Sequence, residues 1–247
     1  MSTVYILWLR QLKRYFRSKA RMIGSIGQPL LFLVALGFGF GPIYQKAGGG
    51  DYIQFLAPGI IAMGILFTAM FMGIEIIWDK QFGFLKETLV APVSRMSIMI
   101  GRTLGGATVA VMQGIVIFLI SLLIGFHPNF HLIWLALIFM VLIAMFFTGI
   151  GTAIASLIDD MQGFPLIMNF LVMPTFFLSG ALFPLEGLPN IITFIARVDP
   201  LSYGIDGIRG AFSGVAAFGF FTDFAVLAVI TFIVLAIGAY LFSKIEI

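Results

Sequence analysis

Few side chains in this sequence have the types and spacing that chemistry requires. His127 and His131 are four residues apart, but zinc needs at least one more ligand nearby, and Pro128 follows His127 in a short loop. Asp159 and Asp160 are adjacent, so on a helix they would point apart, and a solvated loop or helix cap is expected there. The chain has no cysteine and no convincing nucleophile–base arrangement. We therefore expect neither a catalytic site nor a metal site.

The composition limits the class of protein. Of the 247 residues, 61% are hydrophobic and only 10% are charged. Soluble domains are typically about 45–50% apolar and about 25% charged. A water-soluble enzyme would lack the polar surface to stay dispersed, and a disordered chain would not carry 28 phenylalanines. The sequence therefore predicts an integral membrane protein.

Six segments are long and apolar enough to cross a bilayer, which takes about 20 residues of helix. They lie at about 23–43, 57–78, 104–126, 133–157, 164–184 and 223–242. Segments of this length in lipid are helices, because every backbone polar group must be satisfied internally. Small residues also recur four apart, which favours close helix packing and is compatible with a dimer: Gly37/Gly41, Gly101/Gly105, Gly149/Ala153 and Gly151/Ala155. The predicted fold class is all-α, in one membrane domain that covers residues 1–247.

The distribution of lysine and arginine predicts the orientation. Eleven lie on the side of both termini: six in residues 10–21, four in 80–102, and Lys244. Three lie on the opposite side, at Lys46, Arg197 and Arg209. Since cytoplasmic loops carry the excess of positive charge, both termini are expected in the cytoplasm. The basic N-terminal cluster lies beside a membrane span, so we expect it to face anionic lipid headgroups rather than nucleic acid.

Residues 1–21 are expected to contain an amphipathic helix in the cytoplasmic interface. Tyr5, Trp8, Leu9, Leu12 and Phe16 recur at helical spacing on one face. A second face carries the basic residues Arg10, Lys13, Arg14, Arg17 and Arg21. The alternative is that these basic residues only set the orientation of the chain in the membrane and have no further role.

The loop 79–103 is longer than a connector requires. It combines the apolar residues Phe82, Phe84, Leu85 and Leu89 with Lys86 and Glu87, and Pro92 should end any short helix. An exposed apolar helix of this kind favours a partner surface. The alternative is that these side chains enter the headgroup layer.

The segment 185–222 is the longest stretch outside the predicted spans. Gly187, Pro189 and Pro200 break it into two runs that are too short to cross the membrane, and Asp206 and Arg209 could pair on one helix face. Two interfacial or re-entrant half-helices on the outer side are expected.

Apart from Asp223, the first residue of the last predicted span, Glu75 is the only carboxylate within a predicted span. Its side chain is expected to reach the membrane–water interface. The alternative is that it contacts the partner of the loop 79–103 or a substrate entrance. Glu75 and the neutral residues Gln28, Gln113 and Asn169 are too few polar side chains to form an ion path through the membrane. The chain also lacks the G-x-x-x-x-G-K-[ST] motif of a phosphate-binding loop. An ion-coupled secondary transporter and a non-transporting scaffold subunit nevertheless remain alternatives.

Three sequence motifs occur in an order that resembles a known protein family. They are FLAPGIIAMGI at 55–65, FLKETLVAPVSRMSIMIGR at 84–102, and FLSGALFPLEGLPNIITFIARVDPLSYGIDGIRGAF at 177–212. With these motifs the chain resembles, over nearly its whole length, the type-2 permease subunits of ATP-binding-cassette exporters for drugs, polysaccharides and lipo-oligosaccharides.

The resemblance implies an assembly of two membrane subunits, this chain with a second copy or a homologous permease, and two separate ATPase subunits. ATP and Mg²⁺ would bind to those partners, and this chain would hold no cofactor. An amphiphilic drug, lipid or glycan-lipid would cross the inner or plasma membrane between spans one, two and five.

The resemblance also implies roles for particular residues. Residues 4–21 would form the interfacial helix, with Trp8, Arg10, Lys13, Arg14 and Arg17. The coupling segment that contacts the ATPase would use Phe84, Leu85, Glu87, Leu89, Pro92 and Arg95. The outer gate would include Pro184, Gly187, Pro189, Pro200, Tyr203 and Arg209.

Overall fold

The chain folds into a bundle of helices. A computed structural model describes residues 2–158, 162–185, 187–214 and 216–245, and within these ranges all regular structure is helical. The helices are α1 (Thr3–Arg17), α2 (Lys19–Lys46), α3 (Tyr52–Gln81), α4 (Phe84–Val90), α5 (Arg95–Ile124), α6 (Ile133–Leu157), α7 (Gly163–Ile167), α8 (Met173–Leu178), α9 (Asn190–Val198), α10 (Pro200–Ser213) and α11 (Phe220–Ser243). A 3₁₀ turn (Phe130–Leu132) precedes α6, and a π turn (Met168–Val172) joins α7 to α8.

Five of these helices are long and apolar enough to cross a membrane: α2, α3, α5, α6 with its preceding turn, and α11. They confirm a multi-pass, all-helical membrane fold. The segment predicted as the fifth of six spans is shorter, because its helical part covers only Gly163–Leu178. The count of six spans therefore stays a prediction.

Helix α3 is the centre of the bundle. It is apolar on all sides, and a helix of that kind is stable only where neighbours cover its whole surface. Helices α6, α5 and α2 provide that cover. Gly73 allows α3 and α6 to approach closely, since a Cβ there would lie 2.6 Å from the Thr148 carbonyl oxygen and 2.8 Å from Gly151 Cα. In contrast, α2 and α11 lie at the periphery and leave most of their apolar surface uncovered.

The π turn in the α7–α8 segment has a local cause. Pro174 lies within the first residues of α8 and lacks an N–H, so it interrupts the regular hydrogen-bond ladder. A wider turn at Met168–Val172 absorbs this interruption. The chain then leaves the helix at Gly180, whose positive φ of 75° suits glycine. These features end the helix several residues before the predicted limit of residue 184.

Helix α1 packs along α5. It ends at Arg17, earlier than the predicted limit of residue 21, so Arg21 belongs to α2. Its buried face contains Leu7, Gln11, Leu12 and Tyr15, whereas Tyr5 and Phe16, both expected on the apolar face, are exposed. The predicted small-residue pair Gly101/Gly105 provides the contact surface: a Cβ on Gly101 would meet Leu7, and one on Gly105 would meet Gln11. The helix therefore forms part of the bundle.

Candidate functional site

Two acidic residues of α3 hold arginines from three other helices. Glu75 and Asp79 are four residues apart, which places them on one helix face, and both are buried. Arg14 Nη1 in α1 lies 3.2 Å from Asp79 Oδ1 and 3.5 Å from Glu75 Oε2. Three further ion pairs complete the cluster: Arg21 with Glu75, Arg10 with Asp79 at 3.8 Å, and Arg102 with Asp79 at 2.5 Å. We call these six residues the arginine cluster.

The charges of the arginine cluster do not balance. It contains four guanidinium groups and two carboxylates, so two positive charges are in excess. Burial of charge is costly unless it is paired and hydrogen-bonded. Arg102 is 3% exposed, and its Nε and Nη1 have no hydrogen-bond partner in the described part of the chain. The same holds for Glu75 Oε2. The cluster is therefore strongly electropositive and incompletely satisfied.

A cleft opens directly beside this cluster. It has a volume of about 380 Å³ and lies between α1, α2, α3 and the start of α7. Its polar lining consists of Arg21, Glu75, Ser25, Gln28 and Thr68. Its apolar wall is formed by Pro29, Phe67, Phe71, Met72, Ile74, Trp78 and Phe164. The cleft thus combines a charged pair with an aromatic, apolar wall.

The structure brings together only some of the residues predicted for the interfacial helix. Arg10 and Arg14 pair with the acidic residues of α3, so they do not only face lipid headgroups as expected. Trp8 donates from Nε1 to Thr108 Oγ1 of α5 at 3.0 Å. Lys13 and Arg17, in contrast, are exposed.

Sequence reasoning left the role of Glu75 open and missed the arginine cluster. A signal was present, since Arg10 and Arg14 repeat at the same four-residue interval as Glu75 and Asp79. The complementary spacing of opposite charges on two helices could have suggested the pairing.

The predicted coupling segment is a short helix with an apolar surface. Phe84, at the start of α4, and Val90, at its end, are 49% and 80% exposed. Leu85 is buried and anchors the helix on the bundle, whereas Glu87 and Pro92 are exposed and Leu89 lies within α4. After the helix, Arg95 donates from Nη1 to the carbonyl oxygens of Ser243 at 2.5 Å and Ile245 at 2.8 Å. The structure thus presents a firmly attached projection between α3 and α5.

Helices α9 and α10 occupy the predicted outer segment, with a break before Pro200 as the sequence indicated. Tyr203 donates its hydroxyl to the Arg197 carbonyl oxygen at 2.7 Å, which ties the two helices together. Pro189 lies directly before α9, and Pro184 and Gly187, which are exposed, lie in the preceding loop. Whether these helices re-enter the membrane stays a prediction.

Arg209 has a structural role that the sequence did not predict. It donates from Nη2 to the carbonyl oxygens of Gly180 at 3.0 Å and Phe55 at 3.4 Å, and its guanidinium lies 4.0 Å from the centre of the Phe55 ring. The expected partner, Asp206, instead accepts hydrogen bonds from the backbone N–H groups of Ala217 and Phe218. Arg209 therefore joins α10 to α3 and to the turn after α8.

Asp199 lies between α9 and α10 and caps α10. Its Oδ1 accepts a hydrogen bond from Leu201 N at 2.9 Å, while Oδ2 has no partner in the described ranges. Burial raises the pKa of the Asp199 carboxyl to about 7, since desolvation disfavours the charged form more than the Leu201 hydrogen bond favours it. This carboxyl can therefore change its charge near neutral pH.

Among the described residues, no group of three or more His, Asp or Glu side chains could hold a metal ion. His127 and His131 lie before and within the turn that precedes α6. Asp159 and Asp160 lie outside the described residues.

Comparisons with known proteins agree with this architecture. Residues 2–213 match the family model described as ABC-2 type transporter. Nodulation protein J of Rhizobium leguminosarum bv. trifolii is 29% identical over 207 residues, which cover 83% of this chain and 76% of that protein. The putative transport permease ycf38 of Porphyra purpurea is 32% identical over 207 residues, with 80% and 69% covered. The chain belongs to the ABC-2 type transporter family and is a membrane permease of an ABC transporter.

Proposed function

We propose that this chain is the permease subunit of an ATP-driven exporter and that it forms the path for an amphiphilic substrate. A separate subunit hydrolyses ATP, so this chain is not itself an enzyme and holds no cofactor. A second copy or a homologous permease completes the pair of membrane subunits. The chain lies in the inner or plasma membrane with both termini in the cytoplasm, as the excess of lysine and arginine near the termini favours.

The observation that carries this proposal is the exposed apolar surface of α4. Phe84 and Val90 of this short helix are 49% and 80% exposed, and Phe82, just before it, is 68% exposed. The helix joins two membrane helices. An apolar surface outside the membrane-spanning helices is stabilised by a partner that covers it. In the proposed assembly that partner is the ATPase subunit, and α4 is the coupling helix that contacts it.

The attachment of α4 explains how ATP-driven motion reaches the bundle. Leu85 is buried against the bundle, and Arg95 donates to the carbonyl oxygens of Ser243, the last residue of α11, and of Ile245 just after it. Movement of α4 by the partner is therefore transmitted to α3, α5 and α11 rather than lost in a flexible loop. The substrate path lies along α2, α3 and the α7–α8 segment, where the cleft is located.

The proposal is tested by purifying the tagged chain from its native membrane. The wild-type chain should co-purify with ATP hydrolysis activity. Phe84→Ala should lower that activity several-fold, because it removes an exposed aromatic contact without disturbing a buried residue. Phe38→Ala is the matched control, since Phe38 is an exposed phenylalanine of α2 and should leave the activity unchanged.

Two results would contradict the proposal. One is transport of an amphiphile by the purified chain alone, driven by an ion gradient. The other is unchanged ATP-dependent export after disruption of α4, which would favour a scaffold role.

A further inference from the structure

The cleft beside the arginine cluster has the chemical asymmetry of an amphiphile. Phe67, Phe71 and Phe164 provide an aromatic surface, and Phe67 lies about two turns of α3 away from Glu75, the ion-pair partner of Arg21. A volume of about 380 Å³ is that of a small-molecule site, enough for a headgroup and the beginning of an acyl chain. The cleft is thus suited to a molecule with a polar end and an apolar end.

The net charge of the arginine cluster favours an anion: Arg21 and Glu75 line the cleft, and the other four members are joined to these two residues by ion pairs. The arginine cluster holds two positive charges more than its carboxylates neutralise. In a partly buried position such an excess is stabilised by a counter-ion. Glu75 is itself negative and lies within the cleft, but two arginines, Arg14 and Arg21, contact it. Its charge is therefore already matched before a ligand enters.

Arg21 retains hydrogen-bonding capacity for a ligand. In the described residues only its Nη1 is hydrogen-bonded, to Glu75, and the side chain is 34% exposed. Guanidinium groups carry five N–H donors and bind phosphate and carboxylate groups in a bidentate manner. Arg21 can thus hold Glu75 and an anionic headgroup together.

We propose that this cleft binds an amphiphile with an anionic headgroup, which Arg21 holds while the apolar chain packs along Phe67, Phe71 and Phe164. The inference rests on the proposed permease function, since it names the substrate class that enters the path. It assigns Arg21 as the residue that selects for negative charge.

Trp78 lines the same cleft and can report on its occupancy. The chain has three tryptophans, so the double variant Trp8→Phe/Trp134→Phe leaves Trp78 as the only one. The detergent-purified variant is titrated with phosphatidylglycerol or phosphatidylcholine that carries brominated acyl chains, which quench nearby tryptophans. We expect the anionic lipid to quench Trp78 at about tenfold lower concentration, the ratio expected from one charge-assisted hydrogen bond.

Substitutions identify the residues responsible. Arg21→Gln should remove the preference for the anionic lipid, and Arg21→Lys should retain most of it. Arg17→Gln is the matched control, because Arg17 is exposed and does not line the cleft. Gly24→Leu provides a second test that leaves the ion pairs intact. A Cβ at Gly24 meets nothing within 4 Å, so the leucine should enter the cleft and weaken quenching by both lipids.

The outcomes separate this inference from the proposed function and from binding of a free anion. Equal quenching by both lipids, or an equal loss of preference in Arg17→Gln, would overturn the inference even if the ATPase co-purifies. Inorganic phosphate should not displace the brominated lipid at millimolar concentration, and displacement would show that the site takes a free anion instead. Loss of ATPase association with lipid preference intact would contradict only the proposed function.

Discussion

Arg102 of α5 and Asp79 of α3 form an ion pair at 2.5 Å in which both side chains are buried, at 3% and 1% exposure. This pair fixes the end of α3 to the beginning of α5. Helix α4 lies in the short connection between those two helices. The ion pair therefore determines where the projecting helix is held relative to the bundle.

Asp79→Asn should destabilise the chain strongly. The substitution leaves the buried Arg102 without a counter-charge, and breaking a buried pair by removing one partner typically costs about 3–5 kcal/mol. Thermal unfolding in detergent should show a lower midpoint. Asp51→Asn is the matched control, since Asp51 is exposed and an asparagine can still cap α3. Similar midpoints for the two variants would show that the pair is not structurally important.

Gly73→Ala should disturb the contact between α3 and α6. The new Cβ would lie 2.6 Å from a carbonyl oxygen and 2.8 Å from Gly151 Cα, so backbone atoms must move, at a cost of about 1–3 kcal/mol. Gly39→Ala in α2 is the control, because nothing lies within 4 Å of its Cβ and alanine favours a helix. The midpoint temperature of thermal unfolding should be lower for Gly73→Ala than for wild type, and equal or higher for Gly39→Ala. The opposite order would contradict the close packing.

Asp199→Asn should stabilise the chain more at pH 8 than at pH 5. The folded pKa of about 7 lies above the ordinary aspartate value of 3.8, so the free energy of unfolding falls as the pH rises between these values. At pH 8 the ionised carboxylate costs at most about 4 kcal/mol. Asparagine keeps the cap but leaves a buried amide nitrogen unpaired, which offsets about 1–3 kcal/mol of the gain.

The measurement is the shift in unfolding midpoint at the two pH values. Asp51→Asn, which alters an exposed cap of the same kind, should change stability by less than about 0.5 kcal/mol at both. A gain for Asp199→Asn that does not grow with pH would argue against a buried, titrating carboxyl.

The orientation can be tested with single cysteines, because the natural chain has none. Ser94→Cys lies directly after the α4 region, and Ala47→Cys lies at the opposite end of the membrane helices, just after α2. Both positions are exposed. A membrane-impermeant thiol reagent should label Ser94→Cys from the cytoplasmic side and Ala47→Cys from the outer side. Labelling of both positions from one side would contradict the single membrane crossing, by α3, that lies between them.

Hydropathy predicted most of the membrane helices because the thickness of the bilayer sets a minimum length for each apolar segment. The prediction 133–157 matches α6, and 223–242 lies within α11. The α7–α8 segment differs because hydropathy does not register hydrogen-bond geometry. Residues 181–183 are again apolar, yet the helix has ended before Gly180, whose φ is positive.

The candidate site was less predictable than the helices. Periodicity within one segment indicates which residues share a face, but it does not show which distant segment covers that face. Glu75 and Arg21 are 54 residues apart in sequence and belong to different helices. The projecting α4 was easier to recognise, since its apolar residues and Pro92 are contiguous in the chain.

The hydrogen bonds of Arg95 have a consequence for how force spreads through the molecule. A single guanidinium joins the first residue of α5 to two carbonyl groups about 150 residues further along the chain. In the proposed assembly, a displacement of α4 would reach α3 and α5 through the backbone and the end of α11 through the Arg95 hydrogen bonds. Residues far apart in the sequence would then respond to the same local movement.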